Sequence, residues 1–255
     1  NITTGQGSVG AYLLDDTVTF NGANITTGTN NSGTSVGVLF DSAITGTYTM
    51  NNVSVNAKNG VGIYLGGTGM TLNHNGTVTT EGGIGIYVKN GTTLTTGTSI
   101  LNISNGGTGI YVEQGTANLG LSGNLTFNFG TGGGIGIFNN GGTLNIGSNI
   151  TLNGSGSLAA TTDGSFVSSG NITVGEGGTG LLGQYSSSSI TAQSITNSGI
   201  ITASSGGIGL AAVKTGAGVP LAPITVNNLN TINISGKSSG TSEPSIGIYT
   251  DVANV

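Results

Sequence analysis

Along this chain, apolar and polar residues alternate over short runs that Asn, Gly or Ser then interrupts. Ile84–Val88, 92–96 and 99–104 are three such runs in succession, and Val61–Leu65, 70–73 and 77–80 are the three before them. A period of two places alternate side chains on opposite faces of an extended strand, so each run predicts a short half-buried strand. No stretch sustains a helical period, and helix is expected nowhere.

One phrase recurs: a Gly followed by two apolar residues. It reads Gly10-Ala11-Tyr12, Gly37-Val38-Leu39, Gly62-Ile63-Tyr64, Gly85-Ile86-Tyr87, Gly109-Ile110-Tyr111 and Gly136-Ile137-Phe138. It returns as Gly180-Leu181-Leu182, Gly209-Leu210-Ala211 and Gly247-Ile248-Tyr249. Successive copies lie 27, 25, 23, 24, 27, 44, 29 and 38 residues apart. The interval of 44 is close to two units, with a degenerate copy near Ser157-Leu158-Ala159. Three strands and three turns in roughly 25 residues describe one coil of a right-handed parallel β-helix, and the chain holds about ten. A sandwich or barrel would show less regular spacing. The reading is therefore a single all-β segment, 1–255.

Parity assigns the faces. Val61, Ile63 and Leu65 share one side, as do Ile84, Ile86 and Val88, and Ile246 and Ile248; this side should fill the core. The other side carries Tyr64, Tyr87, Tyr111 and Phe138 on consecutive coils, with a Gly two residues before each ring that should leave a shallow shelf. Two intervals exceed one coil. The stretch 215–223, with Pro220 and Pro223, is expected to leave the shaft as a protruding loop, because Pro cannot donate to a ladder. The stretch 236–244 is expected to be a long turn.

Composition sharpens this. Of 255 residues, 51 are Gly, yet 35% are hydrophobic and only 5% charged, which is not the balance of a disordered chain. The four cations are Lys58, Lys89, Lys214 and Lys237, so no basic stripe for nucleic acid can form. No apolar run approaches a membrane span, and no leader pattern is visible. The sequence starts and stops within its own pattern and reads as a piece of a longer rod. The Asn-x-Ser/Thr triplets, as at Asn24, Asn124 and Asn171, follow from composition.

Chemistry is sparse. The acids are Asp15, Asp16, Asp41, Glu81, Glu113, Asp163, Glu176, Glu243 and Asp251. Only Asp15 and Asp16 are close, and neighbours in a strand point to opposite faces. Paired carboxylates for acid–base work are not evident. His74 is the single histidine and reads as a turn residue at a strand end. Without Cys, the usual zinc sites cannot be built. The Gly pairs are followed by Thr or Ile rather than Asp, unlike calcium-binding repeats. They also lack the βαβ setting of a dinucleotide loop. No enzyme activity, cofactor or metal is expected. The candidate binding residues are Tyr64, Tyr87, Tyr111, Phe138, Pro220 and Pro223, since rings can stack on sugars or anchor a protein.

The Gly-Ile-Gly-Ile-Tyr and Gly-Thr-Gly-Ile-Tyr phrases, at this spacing in an Asn/Thr/Gly-rich background, resemble the passenger domains of large fusobacterial type V autotransporter adhesins, the RadD-like family. The resemblance covers essentially the whole chain but carries no binding motif residue by residue. It implies a leader before this segment, an outer-membrane barrel after it, and display at the bacterial cell surface. It further implies attachment to other bacteria and to host cells through a glycan or a host receptor. The segment itself is expected to be a monomer that neither enters a membrane nor binds nucleic acid. A passive stalk presenting a distal tip is the alternative, and a β-helical polysaccharide hydrolase or lyase the third reading.

Overall fold

In the computed structural model, residues 1–14, 18–28, 35–119, 123–147, 150–162, 165–186, 192–216, 222–235 and 244–251 are described. Every described regular element is a strand. The strands stack in parallel as a β-solenoid, an all-β parallel β-helix as the alternation requires.

The recurring phrase builds one ten-stranded parallel sheet, the anchor sheet. It runs from Val9–Leu13 through Val36–Phe40, Val61–Leu65, Ile84–Val88, Gly107–Glu113, Gly134–Asn140, Ser157–Thr162, Thr179–Ser186 and Ile208–Thr215 to Ile246–Thr250. The degenerate copy is present one residue later than expected: Ala159 pairs with Ile137 and Leu181, and Ala160 with Phe138 and Leu182. The remaining 16 strands form a second sheet folded over a corner, so each coil has three faces. Complete three-faced coils are fewer than the ten anchor strands, because the first and last described coils are partial.

Three strands cross that corner without a break: Gly46–Lys58, Met70–Glu81 and Thr93–Ser104. The sequence suggested two separate strands in each of the last two. At the corner the register shifts, between Asn51 and Val53 on one side of Met70–Glu81 and between Thr96 and Ser99 on the other. Asn52 absorbs the bend with φ 52°, in the left-handed region that Asn tolerates better than most residues. Further along, the two faces are supplied by separate strands, such as Thr116–Leu119 and Leu125–Phe129.

The core is a column of mainly aliphatic side chains with three fully buried aromatic ones, Phe40, Phe127 and Tyr185, and with Tyr48 and Phe129 also buried in it. Ile63, Leu65, Ile86 and Val88 point into it, as parity required, while Val61 is buried outside that cluster and Ile84 is only half-buried. Ile248 is 48% exposed despite the same parity, because Ile246–Thr250 is the last strand of its sheet and has no neighbour above.

The anchor glycines differ from expectation. Cα pairing runs on both sides of each but never through it: Val61 pairs with Ile84 and Ile63 with Ile86, while Gly62 and Gly85 are skipped. The same skip recurs at Gly37 and at Gly209. A Cβ on Gly62 would lie 2.5 Å from the Gly85 carbonyl oxygen, and one on Gly85 would lie 2.5 Å from that of Gly109. These glycines are buried points of close approach between coils. They do not form the open shelf beside the rings that the sequence suggested.

Of the expected loop, 217–221, including Pro220, lies outside the described residues. Pro223 is exposed, and its carbonyl accepts the Gln193 amide at 3.2 Å before the strand Ile224–Asn228 begins. Ala222 beside it is buried, so the chain rejoins the shaft there. No helix among the described residues is long and apolar enough to cross a membrane.

Candidate functional site: an aromatic ladder and its polar edge

Register brings the predicted rings together. Leu39 pairs with Tyr64, Tyr64 with Tyr87, Tyr87 with Tyr111 and Tyr111 with Phe138, all on the outward side of the anchor sheet. Ring centroids are 4.9, 5.1 and 5.4 Å apart, with interplanar angles of 22°, 21° and 19°. Rings this close and this parallel lie face over face. Their faces therefore point along the rod at one another, and their edges point sideways. Each such contact adds about 0.5–1.5 kcal/mol beyond area burial. Position 160 is Ala, so the ladder ends at Phe138.

Two residues after the ring position runs a polar column, which sequence reading did not single out: Asp41, Lys89, Glu113 and Asn140. Phenol groups reach into it from the coil before. The Tyr87 hydroxyl bonds the Glu113 carboxylate, and the Asn140 side-chain amide donates to the Tyr111 oxygen at 3.1 Å. Tyr12, in the same column as the ladder rings, donates to Asp41. Burial raises the Tyr87 hydroxyl well above the usual phenol range, and the Glu113 hydrogen bond raises it further. The hydrogen bond to Asp41 raises Tyr12, and the same bond holds Asp41 below the usual carboxylate range. The signal that could have found this column is the polar residue two positions after Tyr87, Tyr111 and Phe138, interrupted by Gly66 after Tyr64, read together with the coil period.

The other two faces carry a different pattern. Asn153 donates to Asn128 at 2.8 Å, Asn128 to Asn102 at 2.9 Å, and Asn102 to Thr79 at 3.2 Å. Asn145 donates to Asn118 at 2.8 Å. These amide ladders hold one coil to the next, so much of their hydrogen-bonding capacity is already used.

Asp15, Asp16, Asp163 and Glu243 lie outside the described residues. Among the described residues no group of three His, Cys, Asp or Glu side chains converges. Glu81 pairs with Lys58 at 3.3 Å on the surface. Pro223 lies away from the ladder, just before a strand of the other sheet, and joins no site with it.

His74 is not a turn residue. It lies within the continuous strand Met70–Glu81, at the corner, and is fully buried. Asn73-His74-Asn75-Gly76 reads locally as a turn, but a Cβ on Gly76 would lie 2.3 Å from the Val53 carbonyl oxygen. The strand rounds the corner at that close approach, and the alternation that buries Met70 and Leu72 continues to His74.

No known protein family, curated protein or solved structure matches the chain.

Proposed function

We propose that the chain is a segment of a cell-surface adhesin. In this reading a non-catalytic β-helical rod attaches to host cells or to partner bacteria, through a glycan or protein receptor held along the ladder strip. The observation that carries it is the continuous outward row of Tyr64, Tyr87, Tyr111 and Phe138 bordered by Lys89, Glu113 and Asn140. It combines half-buried rings with charged and amide groups that can orient a ligand, as interaction sites commonly do. Because the ring faces are engaged with one another, a ligand would meet ring edges and phenol oxygens rather than an open face.

That engagement also favours the second reading, a stalk whose ladder stiffens the shaft. One experiment separates the two. Binding of the chain to a glycan array, to host cells and to partner bacteria is compared with Glu113→Gln/Lys89→Ala and with a Tyr64, Tyr87, Tyr111→Phe triple variant that keeps the rings. Saturable binding, lost in either variant while the β-sheet spectrum is unchanged, supports the adhesin reading. Absence of binding by the folded chain leaves the stalk, and binding unaffected by both variants removes the site from the ladder.

A further inference from the structure

The interior of this rod is aliphatic except at a few positions, and one of those carries the chain's only imidazole. His74 sits between Met50 and Thr96, its partners in the adjacent coils, with no exposed surface. Its ring makes one hydrogen bond: Nδ1 lies 3.1 Å from the Ser99 hydroxyl oxygen. That hydroxyl donates to the His74 carbonyl at 3.1 Å, so Nδ1 carries the proton and donates to Ser99. Nε2 is buried and has no hydrogen-bond partner.

Protonation would place a new N–H and a full charge at Nε2, where nothing accepts either. A buried charge without a partner is among the costliest groups in a fold. The titratable groups on the surrounding strands are all committed elsewhere. On Gly46–Lys58, Tyr48 donates to the Thr45 carbonyl at 3.1 Å and Lys58 pairs with Glu81. Tyr64 and Tyr87, on the flanking anchor strands, face outward in the ladder. Glu81 closes the strand of His74 itself, and Thr93–Ser104 contributes no titratable side chain. Among the described residues no carboxylate is directed at the imidazole.

We propose that His74 is an acid-sensitive latch: its protonation opens the corner strand Met70–Glu81 and, with it, loosens the stacked pair Tyr64 and Tyr87. The coupling follows from chain order, since this strand connects the two ring-bearing strands Val61–Leu65 and Ile84–Val88.

Burial holds the closed-state imidazole at about 4, against an ordinary value of 6.5. The open state therefore binds more protons between these values. The closed state is fully favoured above pH 6.5 and loses ground as pH falls toward 4. From pH 7 to pH 5 the opening equilibrium should rise about 20-fold. No other side chain has an ordinary titration in that interval, because the chain has one His and no Cys.

The test is amide hydrogen exchange on the whole chain at pH 7 and pH 5, corrected for intrinsic rates, with near-UV circular dichroism of the tyrosines alongside. Wild type should lose about 20-fold of its protection across 46–104 and part of its tyrosine signal. His74→Leu, matching Leu119 in the same column, should show neither change. His74→Thr, matching Thr96, serves if the leucine does not fold. Protection in wild type that ignores pH overturns the proposal, as does a pH response retained in a folded His74 variant.

Discussion

Adding one methyl group to Gly85 tests whether the coils of this rod are as closely stacked at the anchor glycines as the geometry indicates. A Cβ there would lie 2.5 Å from the Gly109 carbonyl oxygen and 3.2 Å from Val78 Cγ1. The first neighbour is backbone within a paired strand, so it cannot swing away as a side-chain tip could. The coils must separate locally, which stretches the hydrogen bonds on either side of the contact. Overpacking of this kind costs about 1–3 kcal/mol. Replacing Gly by Ala also removes freedom from the unfolded chain, an offset of about 0.4–1 kcal/mol. The net expectation for Gly85→Ala is a loss of about 1–2 kcal/mol. Gly5 is the control: a Cβ there meets nothing within 4 Å, so Gly5→Ala should gain about 0.4–1 kcal/mol. Urea titration followed by far-UV circular dichroism measures both, and the two midpoints should move in opposite directions. Midpoints that shift alike for Gly85→Ala and Gly5→Ala would refute the argument from close approach.

Three other outcomes follow from the same structure. Phe127→Ala removes a fully buried ring from the core and should cost about 3–5 kcal/mol by urea titration, whereas changing Lys58 or Glu81, exposed at 39% and 38%, should cost under about 1 kcal/mol. In a spectrophotometric alkaline titration, Tyr87 should remain protonated after ordinary tyrosines have ionised, and Glu113→Gln should lower its titration point. Because its folded value is raised, the stability linked to Tyr87 is fully present below pH 10 and is lost as pH rises further.

Much of the fold could be read from the residues because a solenoid repeats its own evidence. The phrase around Gly85-Ile86-Tyr87 named the anchor sheet, and parity within Ile84–Val88 named its inner face. The ladder was legible for the same reason, since equal spacing forces equal register. What failed were places where a local signal competes with the repeat. Asn73-His74-Asn75-Gly76 carries turn residues, yet the neighbouring coils hold it in a strand. The direction of the ring faces and the closeness of the anchor glycines depend on how one coil sits on the next. No single coil's sequence contains that information.

The same distinction between flat face and corner explains the rod's few interior polar groups. Along the flat faces each strand satisfies its neighbour's backbone, and inward positions can be wholly apolar, as at Leu72, Leu94, Ala117 and Leu144. At corners the chain leaves the ladder, and side chains must supply the missing partners. Asn139 does this at one corner, bonding both the amide and the carbonyl of Gly142 at 3.0 Å. Asn197 does it at the corner column that also holds Thr96 and His74, donating to the Gly199 carbonyl at 2.8 Å and to Asn228 at 2.7 Å. Buried amides that serve the backbone in this way are insensitive to pH. His74 occupies the same column but engages only one of its two nitrogens. A column filled by Met50, Leu119 and Ile146 at some coils and by the backbone-bonding Asn197 at another is thus, at one coil, held by a group whose charge the surrounding medium can change.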